Sequence, residues 1–222
     1  MRTDRVFRIA SACAALGLAV AGCDTPSIAT QDPGYDPETI APFIYHWAPG
    51  HDIAIFVDRT GEPADADLDT AVRNGIAAWE GVGLLGEIRL HIVTDVHKAD
   101  VIFHHATAPR LIGSETCSPV DIGAGGNTFF CVSDDMQSLV LPFNDGSGGH
   151  VKMDVAMERV VFPSQDAFRS GVMHELGHVL GIGAHSPNTT DLMYGVPRAA
   201  APTSNDIATL RYVLSQRADV PF

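Results

Sequence analysis

The chain has 222 residues, 45% of them apolar and 18% charged, which suits one sizeable domain with a full core. Its formal net charge is −13, and Lys98 and Lys152 are its only lysines. Such an acidic chain is a poor nucleic-acid binder and repels anionic surfaces, so a membrane would have to hold it through lipid rather than charge.

In chain order, Arg2, Arg5 and Arg8 precede an apolar run from Ile9 to Ala21. A positive start and an apolar run too short for a permanent bilayer span read as a signal peptide over residues 1–22. The run ends Val20-Ala21-Gly22-Cys23, which resembles a bacterial lipobox and implies that Cys23 carries lipid at the mature N-terminus. The plainer alternative is an ordinary secretory signal with a stray cysteine. Removing residues 1–22 takes away three arginines and one aspartate, moving the net charge from −13 to −15. No other apolar run is long enough to be transmembrane. Pro26, Pro33, Gly34, Pro37 and Pro42 mark residues 23–45 as a flexible tether. The expected address is the exported side of a bacterial cell envelope, with a monomeric domain over residues 46–222.

Within that domain, Asp52 to Asp58 alternates like a strand. Asp65-Ala66-Asp67 opens a helix that places Leu68, Val72, Ile76, Ala77 and Trp79 on one apolar face. Glu87 to Val93 and Ala99 to His105 follow as strands. Residues 106–137 read as loop-rich, with no strand assigned, and Ser138 to Phe143 and His150 to Met157 as two more strands. One of these two, with His150 to Met157 preferred, is the expected sheet edge, offering unpaired backbone groups to an extended peptide. Pro163 and Ser164 start a helix backed by Phe168, Val172, Leu176 and Val179 or Leu180. A turn-rich stretch over 186–202 leads to a last helix opening at Thr203-Ser204-Asn205-Asp206, with Ile207, Leu210 and Val213 inward.

Cysteine usage agrees with export. Cys13 leaves with the signal and Cys23 takes lipid, so Cys117 and Cys131 remain as an expected disulfide, worth about 3 kcal/mol on the chain-entropy model. The acidic composition also makes Asn144-Asp145-Gly146-Ser147-Gly148-Gly149 a candidate calcium loop, although a solvated polar turn is the simpler reading of those residues. His104 and His105 are neighbours on a strand and point to opposite faces, which makes them a poor pair for one ion. His46, His51, His91, His97 and His150 have no ligand partner nearby in sequence, so surface or hydrogen-bonded roles are expected there rather than a second zinc.

The sharpest signal is His174-Glu175-Leu176-Gly177-His178-Val179-Leu180-Gly181-Ile182-Gly183-Ala184-His185. Residues four apart share a helix face, so His174 and His178 can grip one zinc ion, with Glu175 placed as a general base rather than a ligand. Gly181 permits a left-handed backbone that ends the helix and turns the chain back, making His185 the natural third ligand.

Together with Asp191-Leu192-Met193-Tyr194, this stretch resembles the metzincin zinc peptidases and is most similar to bacterial matrixin-like proteins. The third histidine falls one residue later than in that family, where this chain has Ala184. The resemblance implies an α+β catalytic domain: a twisted, mostly parallel mixed sheet, an active-site helix and a C-terminal helix. It also implies one catalytic Zn2+, Met193 as a hydrophobic floor beneath the metal, and a protein or peptide substrate.

Other readings compete. The thermolysin-like class needs a later glutamate, and none follows Glu175. An aspartate-ligated class has Asp-x-x-Tyr-Gly, which Asp191 to Gly195 matches, so His185 and Asp191 are rivals for the third position. The expected activity is a zinc endopeptidase with Glu175 as the base. The alternatives are an envelope binding or adhesion lipoprotein that keeps zinc for structure, and a cell-wall amidase.

Overall fold

The computed structural model describes residues 32–38, 44–48, 50–64, 66–82, 88–106, 115–122, 125–133, 151–217 and 220–221. The signal peptide, Cys23, the strand expected at 138–143, the calcium candidate at 144–149 and His150 lie outside these residues.

Alternating apolar residues build the sheet. In β2 (Asp52–Asp58), Ile53 and Ile55 are buried on the face that also receives Leu90 of β3 (Arg89–Val93), and Val101 and Phe103 of β4 (Val101–His105). β5 (Glu115–Ile122), β6 (Gly126–Ser133) and β7 (Val151–Met157) complete six strands in the order β3-β2-β4-β7-β6-β5. The pairs from β3 to β7 are parallel, and β6 is antiparallel to both β7 and β5. A separate short parallel pair joins β1 (Tyr45–His46) to β8 (Val220–Pro221). Among the described residues three α-helices, α1 (Leu68–Glu80), α2 (Gln165–Val179) and α3 (Ser204–Ser215), make the fold α+β. None of the described helices is long and apolar enough to cross a membrane.

Two expectations change here. The stretch over 106–137 is not loop throughout, because β5 and β6 occupy much of it as an antiparallel pair. β6 also takes the side of β7 that was expected to be open. β7 is therefore an interior strand, with β4 on one flank and β6 on the other. The outer strands among the described residues are β3 and β5.

α1 and α2 pack on one face of the sheet, and one core joins Leu68, Val72 and Trp79 to Phe168, Val172, Leu176 and Val179. The buried stripe of α1 runs Leu68, Ala71, Val72, Gly75, Trp79, so Ala77 falls outside it and is exposed, while Ile76 is half-buried. Gly75 belongs to the stripe because Leu176 Cδ1 fills the place its Cβ would take. On α3, Leu210 and Val213 are buried as expected, whereas Ile207 is half-buried and Asp206 and Thr209 point inward instead.

The stretch expected as a tether also contributes to the domain. Tyr35 is buried, its N–H donating to Thr209 Oγ1 at 3.3 Å and its hydroxyl to Asp206 Oδ1 at 3.1 Å. Burial, with the Asp206 carboxylate beside it, pushes that hydroxyl well above the ordinary tyrosine range and keeps it a donor. Tyr45 is buried as well.

Candidate metal centre

α2 presents the motif from inside the molecule. Ser164 caps its start, with extended backbone and a side chain accepting from Ala167 N at 3.1 Å, and Asp166 sits in the first turn. Every residue from Ser170 to Ala184 is buried. The helix then stops at Gly181, whose φ of +117° is strained for any residue with a side chain. Gly181 N donates to His178 O at 3.0 Å and Ile182 N to Gly177 O at 3.1 Å, the paired bonds of a Schellman turn. Aromatic side chains satisfy the last carbonyls. Tyr45 Oη donates to His178 O at 2.7 Å, and Trp47 Nε1 to Val179 O at 2.8 Å.

That turn sets the candidate ligands. It carries Ile182 O to His178, whose Nδ1 donates to it at 2.6 Å. His174 Nδ1 donates to Leu192 O at 2.8 Å. A carbonyl only accepts, so each Nδ1 holds a proton, and in its neutral form each ring turns an Nε2 lone pair outward. The two Nε2 atoms face one another at 3.1 Å. Two lone pairs so close repel unless a proton or a metal ion lies between them. A tetrahedral zinc about 2.1 Å from each nitrogen would space its ligands by roughly 3.4 Å, near what is observed.

His185 completes the group. Its ring centroid lies 5.0 Å from that of His174 and 5.4 Å from that of His178. One ring nitrogen from each of the three histidines lies within 4.8 Å of the others. Among the described residues this is the one such cluster. The donor set fits zinc. No protein-family model matches the chain, and no curated protein matches its sequence.

Asp191 is engaged elsewhere. Its carboxylate accepts from Ser186 Oγ at 2.5 Å, Thr203 Oγ1 at 2.8 Å and Asn205 Nδ2 at 3.0 Å, tying the loop to the start of α3. The geometry brings His185, and not Asp191, to the histidine pair. The extra residue before His185 is absorbed by the chain after Gly181, with Ala184 turned into the core.

Met193 is fully buried against Gly177, between the two helical ligand positions, where a Cβ would overlap Met193 Sδ and approach Trp79 Cζ2 at 3.0 Å. It packs and takes no part in the nitrogen cluster. Asp206 holds this turn in place. Fully buried, it accepts from Leu192 N at 2.9 Å, Met193 N at 3.2 Å, and Thr203 N and Oγ1 each at 2.8 Å. Leu192 O in turn orients His174, so Asp206 supports a ligand through one intervening turn.

Glu175 is buried beside β6, where Thr128 Oγ1 donates to its Oε2 at 2.5 Å. Sequence reasoning missed Thr128. The β-branched and aromatic run Thr128-Phe129-Phe130 was the available signal, masked by the glycines just before it. Asp206 was legible only as a helix cap.

Among the described residues, the remaining histidines are hydrogen-bonded, stacked or exposed. His104 faces Asp154 at 2.8 Å on one side of the sheet, while His105 stacks on Phe168 on the other. His51 pairs with Asp100 and His91 with Asp52. His46 contacts the carbonyls of Trp47 and Gln216, and His97 is exposed. Cys117 is disulfide-bonded, and Cys131 is its register partner across the β5–β6 ladder.

Proposed function

We propose that this chain is a zinc-dependent endopeptidase with a metzincin-like catalytic domain of matrixin type, exported and held at the bacterial envelope by lipid on Cys23. The observation that carries the reading is the histidine arrangement: two Nε2 lone pairs 3.1 Å apart, with both Nδ1 protons committed to carbonyls and a third imidazole alongside. Three protein ligands leave a position open, which suits catalysis rather than a closed structural site. When bound, zinc supplies Lewis acidity that lowers the pKa of water to near 7 and polarises a carbonyl oxygen.

The protein's own residues do the rest. His174, His178 and His185 hold the ion, and the carbonyl-bonded rings of His174 and His178 keep their lone pairs aimed without reorganisation. Glu175 takes a proton from the attacking water at a carboxylate oxygen and returns it to the leaving nitrogen as the peptide bond breaks. Its burial among Gly126, Thr128 and the helix excludes bulk water from that transfer. Met193 and Asp206 keep the loop under the ligands from shifting.

The deciding experiment measures metal content and cleavage of an unfolded protein by residues 24–222, with Glu175→Ala alongside. One zinc per chain and cleavage abolished by the substitution or by a chelator are expected. Zinc without any cleavage would favour a binding or adhesion role, release of cell-wall fragments would favour an amidase, and absence of zinc binding would refute the reading.

A further inference from the structure

We propose that Thr128 is the positioning residue for the Glu175 carboxylate, with Gly126 as the gap that receives it; this rests on Glu175 being the base. Thr128 is fully buried and lies in register with Val155 of β7, on the sheet face that meets α2. Its Oγ1 stands 2.5 Å from Glu175 Oε2, and an ionised carboxylate only accepts, so the hydroxyl donates. Two residues earlier on the same face, Gly126 leaves room for the other oxygen. A Cβ at position 126 would overlap Glu175 Oε1 and come 2.7 Å from Cδ and 2.9 Å from Cγ.

The seat is rigid where the glutamate is not. Glu175 has three side-chain torsions, whereas Thr128 is β-branched and has a single stiff one. β6 is paired along both flanks, to β7 and to β5, and its Cys131 lies opposite the disulfide-bonded Cys117. A hydroxyl on such a strand holds Oε2 in place and, with Oε1 seated over Gly126, fixes the plane of the carboxylate. Orientation of this kind contributes to rate, not to substrate affinity.

The test uses Thr128→Val, which keeps shape but removes the hydroxyl, and Thr128→Ser, which keeps the hydroxyl. In the zinc-loaded protein, Thr128→Val should lower kcat at least tenfold with KM and bound zinc unchanged, and Thr128→Ser should stay within threefold of wild type. Unfolding of the metal-free protein supplies a readout independent of turnover. Thr128→Val should lower the folding constant at least fivefold more in the wild-type background than beside Glu175→Ala. Equal losses in both backgrounds would overturn the contact. Coupling with kcat unchanged would reduce Thr128 to a stability contact and overturn its positioning role. A wild-type protein that binds zinc and cleaves nothing would overturn the underlying enzyme reading, while the coupling still decides the contact.

Discussion

Replacing Asp206 by alanine removes the acceptor for four donors at one buried point, Leu192 N, Met193 N, Thr203 N and Tyr35 Oη, and one of the two carboxylates, Asp191 being the other, that share the Thr203 Oγ1 proton. Thr203 is half-buried and can turn its groups to water. Leu192 and Met193 are fully buried, so their N–H groups lose their acceptor with no route to solvent. Each such group left unsatisfied costs about 1–3 kcal/mol, and the buried Tyr35 hydroxyl adds about 1 kcal/mol. The expected loss is about 4 kcal/mol, a large part of the 5–15 kcal/mol typical of a domain. Urea unfolding of the metal-free protein, with the slope checked against wild type, measures it. The turn also carries Leu192 O to His174 Nδ1, so zinc affinity should fall about 10- to 100-fold in the variant. Asp206→Asn, which keeps one acceptor oxygen, should lie between. A loss under about 1 kcal/mol with zinc affinity unchanged would refute the argument that this carboxylate organises the loop beneath the metal.

The rival third ligands separate cleanly. His185→Ala should cost at least about 100-fold in zinc affinity, whereas Asp191→Ala should act mainly on stability through Ser186, Thr203 and Asn205; competition with a zinc chelator distinguishes them, and the reverse order would reassign the ligand. His105 makes a pH prediction. Burial holds its pKa below the ordinary value despite the opposing pull of Glu62, so the unfolded chain binds that proton more readily. Its contribution is present above about pH 6.5 and is lost as pH falls through the lower folded value. Between pH 7 and 5, wild type should therefore lose more stability than His105→Phe, which preserves the stack on Phe168; parallel pH profiles would show that His105 titrates alike in the folded and unfolded chain.

Several parts of this picture were legible because they are local. Strand β2 runs from Asp52 to Asp58 as its alternation predicts, and Ser164 and Thr203 cap α2 and α3 where a short polar side chain precedes an apolar repeat. Other parts were not, and β7 shows why. Its own residues look the same whether it lies at an edge or inside the sheet. Its place depends on where the intervening chain returns, and β6 returned beside it. Tyr35 was read as tether because prolines surround it, yet one aromatic ring with an acceptor 171 positions away is enough to draw that segment into the body.

The sequence by itself determined the chemistry on offer. Helical periodicity puts His174 and His178 on one face whatever the rest of the chain does, and a glycine at 181 is what allows the helix to end there with φ positive. Only the tertiary structure decided between His185 and Asp191, because both follow the helix at flexible spacing and both are chemically competent. The choice was made by the polar groups of Ser186, Thr203 and Asn205, which engage Asp191 and leave the histidine to join its neighbours. The seat of Glu175 was decided in the same way. The proposed catalytic carboxylate can be named from the residue before it and the residue three after it, but the hydroxyl that bonds it lies 47 positions upstream and meets it only when the chain folds.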